Sequence, residues 1–196
     1  MSISKRVTEA ICYAENGDFE AALIPSCIAV DATAQLEYGA RGSNRELYKR
    51  FLRENADIIG YAGLRIVARN IRLRNPDPTL KLRGDGTCTF DELLYHVVRC
   101  GLLHSGSIDQ FVVLSDSVLL GYDEHRVVVY RSIVWGLLFS VVLAPCNSQQ
   151  KLPNEYWLGV DGNRWTVMDL WGRREFFRGY MVGRMLEMRH AQSRAT

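Results

Sequence analysis

Five cysteines are spread over 196 residues, at positions 12, 27, 88, 100 and 146, and no two stand at Cys-x-x-Cys spacing. An odd, scattered set supports neither a zinc site nor a disulfide framework. Most have apolar neighbours and read as small core hydrophobes, which fits a reducing cytoplasm. Long apolar runs are missing too. The longest, Ile133 to Ala144, would span only about 18 Å as a helix against a bilayer core of ~30 Å. It reads as a buried core helix and implies no membrane partner. Glu9 and Glu15 interrupt the first apolar stretch, which therefore does not read as a secretory signal. There is no basic excess either: 24 Lys+Arg face 22 Asp+Glu, so any phosphate-handling site must be local and not a general coat of charge. Gly-rich phosphate loops, His-Glu-x-x-His, nucleophile elbows, internal repeats and low-complexity tracts are absent.

What remains is patterned. Ile3 to Glu15 carries apolar residues at helical spacing, and Asn16-Gly17-Asp18 breaks it. Phe19 to Tyr38 resumes the pattern, with Pro25 either opening the main part of that helix or kinking it. Asn44 reads as the cap of a helix through Leu47, Phe51 and Leu52, and a further segment runs from Ile58 towards Ile71. Asn75-Pro76-Asp77-Pro78 opens a loop that lasts to Thr87. Thr89-Phe90-Asp91-Glu92 then matches a capping box, opening a helix through Leu93, Val97 and Cys100 towards His104. β-Branched and aromatic runs at 111–114, 118–120 and 126–130 predict two or three strands. The polar Asp123-Glu124-His125 between them reads as a turn and not a metal site, because adjacent side chains diverge. Tyr156 to Val167 reads as a hairpin over Trp157, Trp165 and Trp171, and a last helix covers about 168–190, weakened by Gly172, Gly179 and Gly183. The arginines cluster as Arg65, Arg69, Arg72, Arg74 and Arg83, then Arg164, Arg173, Arg174, Arg178 and Arg184. A solvated helix face explains such clusters more often than RNA does.

Arg99 and His104, at the end of the capped helix, carry the chemistry. Arg grips a phosphate bidentately, and His gives or takes a proton near neutrality. On an ideal helix the two point roughly 140° apart, with Tyr95 and His96 on the Arg99 side. Meeting one phosphate then requires the last turn to unwind at Gly101 or Gly106, or a second subunit to supply the partner groups. An Arg followed four to six residues later by His arises roughly once by chance in such a chain. It recurs at Arg184 and His190, near the terminus. Asp31 and Glu37 are candidates to pair with Arg99 from the upstream helix.

Leu94-Tyr-His-Val-Val-Arg-Cys-Gly-Leu-Leu-His104, with Ile28-Ala-Val-Asp-Ala-Thr-Ala-Gln-Leu-Glu-Tyr-Gly39 far upstream, resembles the HEPN family (higher eukaryotes and prokaryotes nucleotide-binding). The resemblance covers about residues 5–110. It implies a four- or five-helix bundle, a homodimer, and an Arg-x4-His motif in which Arg99 and His104 are catalytic. It also implies a metal-independent RNase of a toxin–antitoxin or phage-defence system, with RNA as substrate and an antitoxin or defence protein as partner. Other HEPN members are inactive scaffolds or nucleotide-sensing modules. Cys100 stands where active nucleases more often carry a polar residue, so the inactive module is the alternative.

The expectation is thus a mainly α, HEPN-like helical bundle with short strands and hairpins in the C-terminal half, one domain over 1–196. Its helical core would be about 1–110 plus 132–146, with 111–131 and 150–190 as a β-containing elaboration and terminal helix. As an endoribonuclease it would need neither metal nor cofactor. His104 would take the 2′-OH proton, Arg99 would stabilise charge on the phosphate, and Tyr95 and His96 would bind substrate.

Overall fold

The computed structural model describes residues 2–39, 42–66, 72–74, 87–95, 112–117, 120–123 and 126–195. Among them the chain is mainly helical, with a few short strands. Helix α1 (Ile3–Glu15) starts where the Ser2 hydroxyl accepts from the Lys5 N–H at 3.4 Å. It buries Ile3, Val7, Ala10, Ile11 and Ala14, the one-sided spacing that drives a helix onto a core. Gly17, at φ 83°, makes the turn, and Asp18 caps α2 (Phe19–Tyr38) by accepting from the Ala21 N–H at 2.9 Å. The helix runs unbroken from Phe19 through Pro25, so this proline lies inside the helix and does not open it.

Two helices form the interior. α2 is buried on several sides, and α6 (Ile133–Val142) is buried along nearly its whole length, as its apolar run required. After α2 come α3 (Asn44–Glu54) and α4 (Ala56–Ile59), followed by a π-turn, Gly60–Leu64. Ser43, not Asn44, caps α3, because its hydroxyl accepts from the Glu46 N–H at 3.3 Å. The segment expected from Ile58 towards Ile71 begins earlier, at Ala56, and its helical part ends at Arg65, which is left-handed at φ 57°. α6 crosses the π-turn backbone to backbone. A Cβ at Gly136 would lie 2.5 Å from the Ile59 carbonyl oxygen, so only glycine fits there.

The predicted capping box forms: the Thr89 N–H donates to Glu92 Oε2 at 3.0 Å at the start of α5 (Phe90–Leu93). Thr87–Thr89 is strand β2, antiparallel to β1 (Arg72–Arg74), a ladder missing from the sequence reading. Strands β3 (Val112–Ser115), β4 (Leu120–Asp123) and β5 (Arg126–Tyr130) form a sheet in the order β3-β5-β4, with β3 parallel and β4 antiparallel to β5. The hairpin is β6 (Trp157–Val160) and β7 (Asn163–Thr166), joined by Asp161-Gly162 with both φ positive.

The single last helix expected over 168–190 is two. α7 (Val167–Leu170) is capped by Thr166, and α8 (Arg174–Ala195) follows a break at Gly172. Gly172 sits at φ 75°, and a Cβ there would come 2.6 Å from Ser148 Cβ, so the break is built in. Gly179 and Gly183 do not interrupt α8.

Candidate functional site

Of the four residues expected to act on RNA, Arg99, His104 and His96 lie outside the described residues, as does the turn at 124–125. Tyr95 is inside them and packed: its ring meets Tyr48 edge-on at 5.6 Å, with the Arg45 guanidinium 5.8 Å from its centre. Glu37, a candidate partner of Arg99, is taken by another arginine. Arg174 Nη1 and Nη2 donate to its two carboxylate oxygens at 2.7 and 2.8 Å.

That bidentate pair anchors a polar seam joining α8 to α2, α3 and α4. Burial works against the Arg174 charge, but the two Glu37 bonds outweigh it and hold the proton more tightly than usual. Arg178 continues the seam, donating to Asp57 Oδ2 at 3.1 Å and to the Glu54 carbonyl at 2.8 Å. Glu54 in turn accepts from Tyr38 at 2.7 Å and from Arg50 at 2.8 Å. The Cys146 thiol lies here, 3.9 Å from Glu37 Oε2. Burial first, then the Glu37 charge, pushes it up to about 11. It stays a thiol near neutrality and is no activated nucleophile.

A second cluster fastens the hairpin. Tyr61, on the π-turn, donates to Asp161, and Arg65 pairs with the same carboxylate at 2.5 Å. Arg65 and Asp161 are the two non-glycine residues with positive φ among those described, so each strained backbone position is held by the other's side chain. Behind them Trp165 packs on Tyr180 and Phe177 at 5.0 and 6.0 Å. Trp171 is buried, whereas Trp157 is 40% exposed beneath Arg164, so only part of the expected tryptophan core forms.

An open cleft of about 480 Å³ lies where the α1–α2 turn meets the sheet, lined by Asp18, Phe19, Asp116 and Arg131 among others. Its main charges serve the fold. Asp18 caps α2, and Arg131 pairs with Asp116 while lying over the Phe19 ring at 5.0 Å. Among the described residues no group of three or more His, Cys, Asp or Glu is placed to hold a metal ion. None of the helices described is long and apolar enough to cross a membrane.

The outer side of α8 is different. Arg174, Phe177 and Met181 are buried against the body. Phe176, Val182 and Leu186, on the opposite side, are 42, 57 and 49% exposed. At 3.6 residues per turn, Phe176, Gly179, Val182, Gly183, Leu186 and His190 fall within an arc of about 120°. From Leu186 to His190 every residue is exposed, so the helix outruns the body it packs on. A Cβ at Gly179 or Gly183 would meet nothing within 4 Å. The sequence held the signal in its two glycines four apart, which read only as helix-weakening.

The architecture defines a mainly helical protein whose long last helix is docked by one side only. The family model described as Rv1289 matches residues 2–193; the chain belongs to the Rv1289 family. No curated protein and no solved structure matches it. The family match corrects the resemblance to HEPN. An Arg followed four to six residues later by His is expected roughly once by chance in a chain this rich in arginine, too little to define a family.

Proposed function

We propose that this protein works by binding another polypeptide, as a non-catalytic scaffold or regulatory module, through the outer face of α8. One observation carries the reading: a 22-residue helix docked by a charged and aromatic inner side while Phe176, Val182 and Leu186 face solvent. A helix apolar on two sides with one covered has a second surface to cover. The setting is a reducing cytoplasm, supported by the free thiols of Cys12, Cys27, Cys88 and Cys146. The test is irradiation of the full chain in cells, with photoreactive benzoylphenylalanine in place of Leu186. A discrete adduct, lost when Val182→Glu is added, is expected; absence of any adduct overturns the reading.

A second reading, metal-independent RNA cleavage, is favoured by the capping box at Thr89 and Glu92, which opens the segment leading to Arg99 and His104. His104 would take the 2′-OH proton and Arg99 would stabilise charge on the phosphate. The toxin or defence setting rested on the HEPN resemblance and has no other support. Incubation with labelled tRNA and single-stranded RNA in EDTA separates the two readings. A binding module leaves RNA intact, whereas a nuclease yields 2′,3′-cyclic phosphate ends that disappear in both Arg99→Ala and His104→Ala.

A further inference from the structure

Two glycines inside an exposed helix cost about 1 kcal/mol each relative to alanine. In α8 nothing among the described residues requires them, because the space over Gly179 and Gly183 is open. We infer that the outer face of α8 is occupied by the same face of a second copy of this chain, the two helices antiparallel. The inference rests on the binding-module reading and names its partner.

The face is complementary to itself in one register. A two-fold axis between Val182 and Gly183 sets Leu186 of each copy over the open space at Gly179 of the other, a side chain seated where no Cβ intervenes. The two Val182 side chains meet near the axis. Phe176 comes level with Arg189 and His190 of the second copy. Antiparallel helices related by such an axis place residues of one flank opposite the same flank of the partner. Glu175 and Arg189 share a flank and stand nearly equidistant from the axis, so each end of the contact pairs a carboxylate with a guanidinium.

Among the described residues Arg178 alone competes for Glu175, donating to it from Nη1 at 3.1 Å within the chain. Glu187 is held by Arg184 at 2.5 Å, and Arg178 is fixed by Asp57 and the Glu54 carbonyl. The Glu175 side chain, although 3.1 Å from Arg178, remains 81% exposed. Arg189 forms no ion pair among the described residues. The overhang fits the same register. Leu186 to His190, exposed on every side in one chain, come to lie over the docked first turns of the other. Close approach at the glycines supplies contact, and the flanking charges choose antiparallel over parallel, because a parallel pair would set like charges level.

The experiment is sedimentation velocity of the full chain at low salt with four variants. Wild type is expected as a dimer, and Val182→Glu as a folded monomer with unchanged helicity, weakened by more than about a hundred-fold because a charge meets its own copy at the axis. Glu175→Arg and Arg189→Glu should each weaken the dimer about ten-fold, and the two together should restore it to within about three-fold. A monomeric wild type at every concentration, or failure of the double exchange to restore association, overturns the inference. The mass of the photoadduct at position 186 distinguishes this failure from the broader one. Twice the chain mass supports a second copy, a different polypeptide overturns the second copy but leaves the binding reading, and no adduct overturns both.

Discussion

The two longest helices make opposite use of awkward residues. α2 has 20 residues and a proline inside it; α8 has 22 and two glycines inside it. A proline in a helix interior costs about 3 kcal/mol and a glycine about 1. In α2 the cost falls where burial can offset it: Pro25 is buried, as are Leu23, Cys27 and Ala29 of the same helix. In α8 a Cβ at Gly179 or Gly183 would meet nothing within 4 Å among the described residues. An unfavourable residue in a packed helix is explained by its neighbours. On an open face it points to a neighbour outside the chain.

Cutting the seam that joins the two helices should have the largest effect. The Glu37 and Arg174 side chains are only 16 and 10% exposed. Glu37→Ala would strand a buried guanidinium and should lower stability by about 3–5 kcal/mol, measured by urea unfolding. Arg174→Leu added to it should recover much of the loss, since two uncharged groups leave no buried ion. If the double variant is no more stable than the single, the seam is not what docks α8.

Next in size is a pair of identical substitutions with opposite signs. Gly136→Ala forces a Cβ against the Ile59 carbonyl and should cost about 1–3 kcal/mol. Gly179→Ala meets open space and should stabilise the monomer by about 1 kcal/mol, read as thermal midpoints at concentrations below association. The same Gly179→Ala fills the seat proposed for Leu186, so it should weaken the dimer while strengthening the fold. If both changes destabilise the monomer, the outer face of α8 is not open.

How much of this was legible in the sequence follows from the range of the forces involved. α1, α2 and α6, the Thr89 capping box and the β6–β7 turn are set within a few residues by periodicity, caps and turn chemistry, and all were readable. The cap of α3 moved one residue, because Ser43 and Asn44 are both good caps and only backbone geometry chooses between them. The break at Gly172 was missed because it depends on Ser148, more than twenty residues away. The β1–β2 ladder was missed because three-residue strands carry no period. Glu37 with Arg174, and Tyr61 and Arg65 with Asp161, are contacts of long separation between residue types that pair with many others, so no spacing announces them. The Arg99 and His104 pair, which did announce itself, drew a family assignment that the Rv1289 match replaces.

The smallest effect sits where the two helices meet. Cys146 lies against Glu37, and burial followed by that charge raises its thiol from 9.0 to about 11. The folded state therefore holds this proton more tightly than the unfolded chain does. The linkage sign follows: the contribution is intact below about pH 9 and is lost as pH rises through about 11. Cys146→Ala should flatten that decline relative to wild type, with Tyr38 and Tyr61 common to both chains. Alkylation at pH 8 gives the companion readout, as exposed Cys12 should react well before Cys146. In Glu37→Ala, Cys146 should gain reactivity, because the substitution removes the charge and loosens the seam that shields the thiol. An unchanged rate there would mean that burial by the turn at Pro145–Asn147 alone protects it, and that the junction between α2 and α8 does not depend on Glu37.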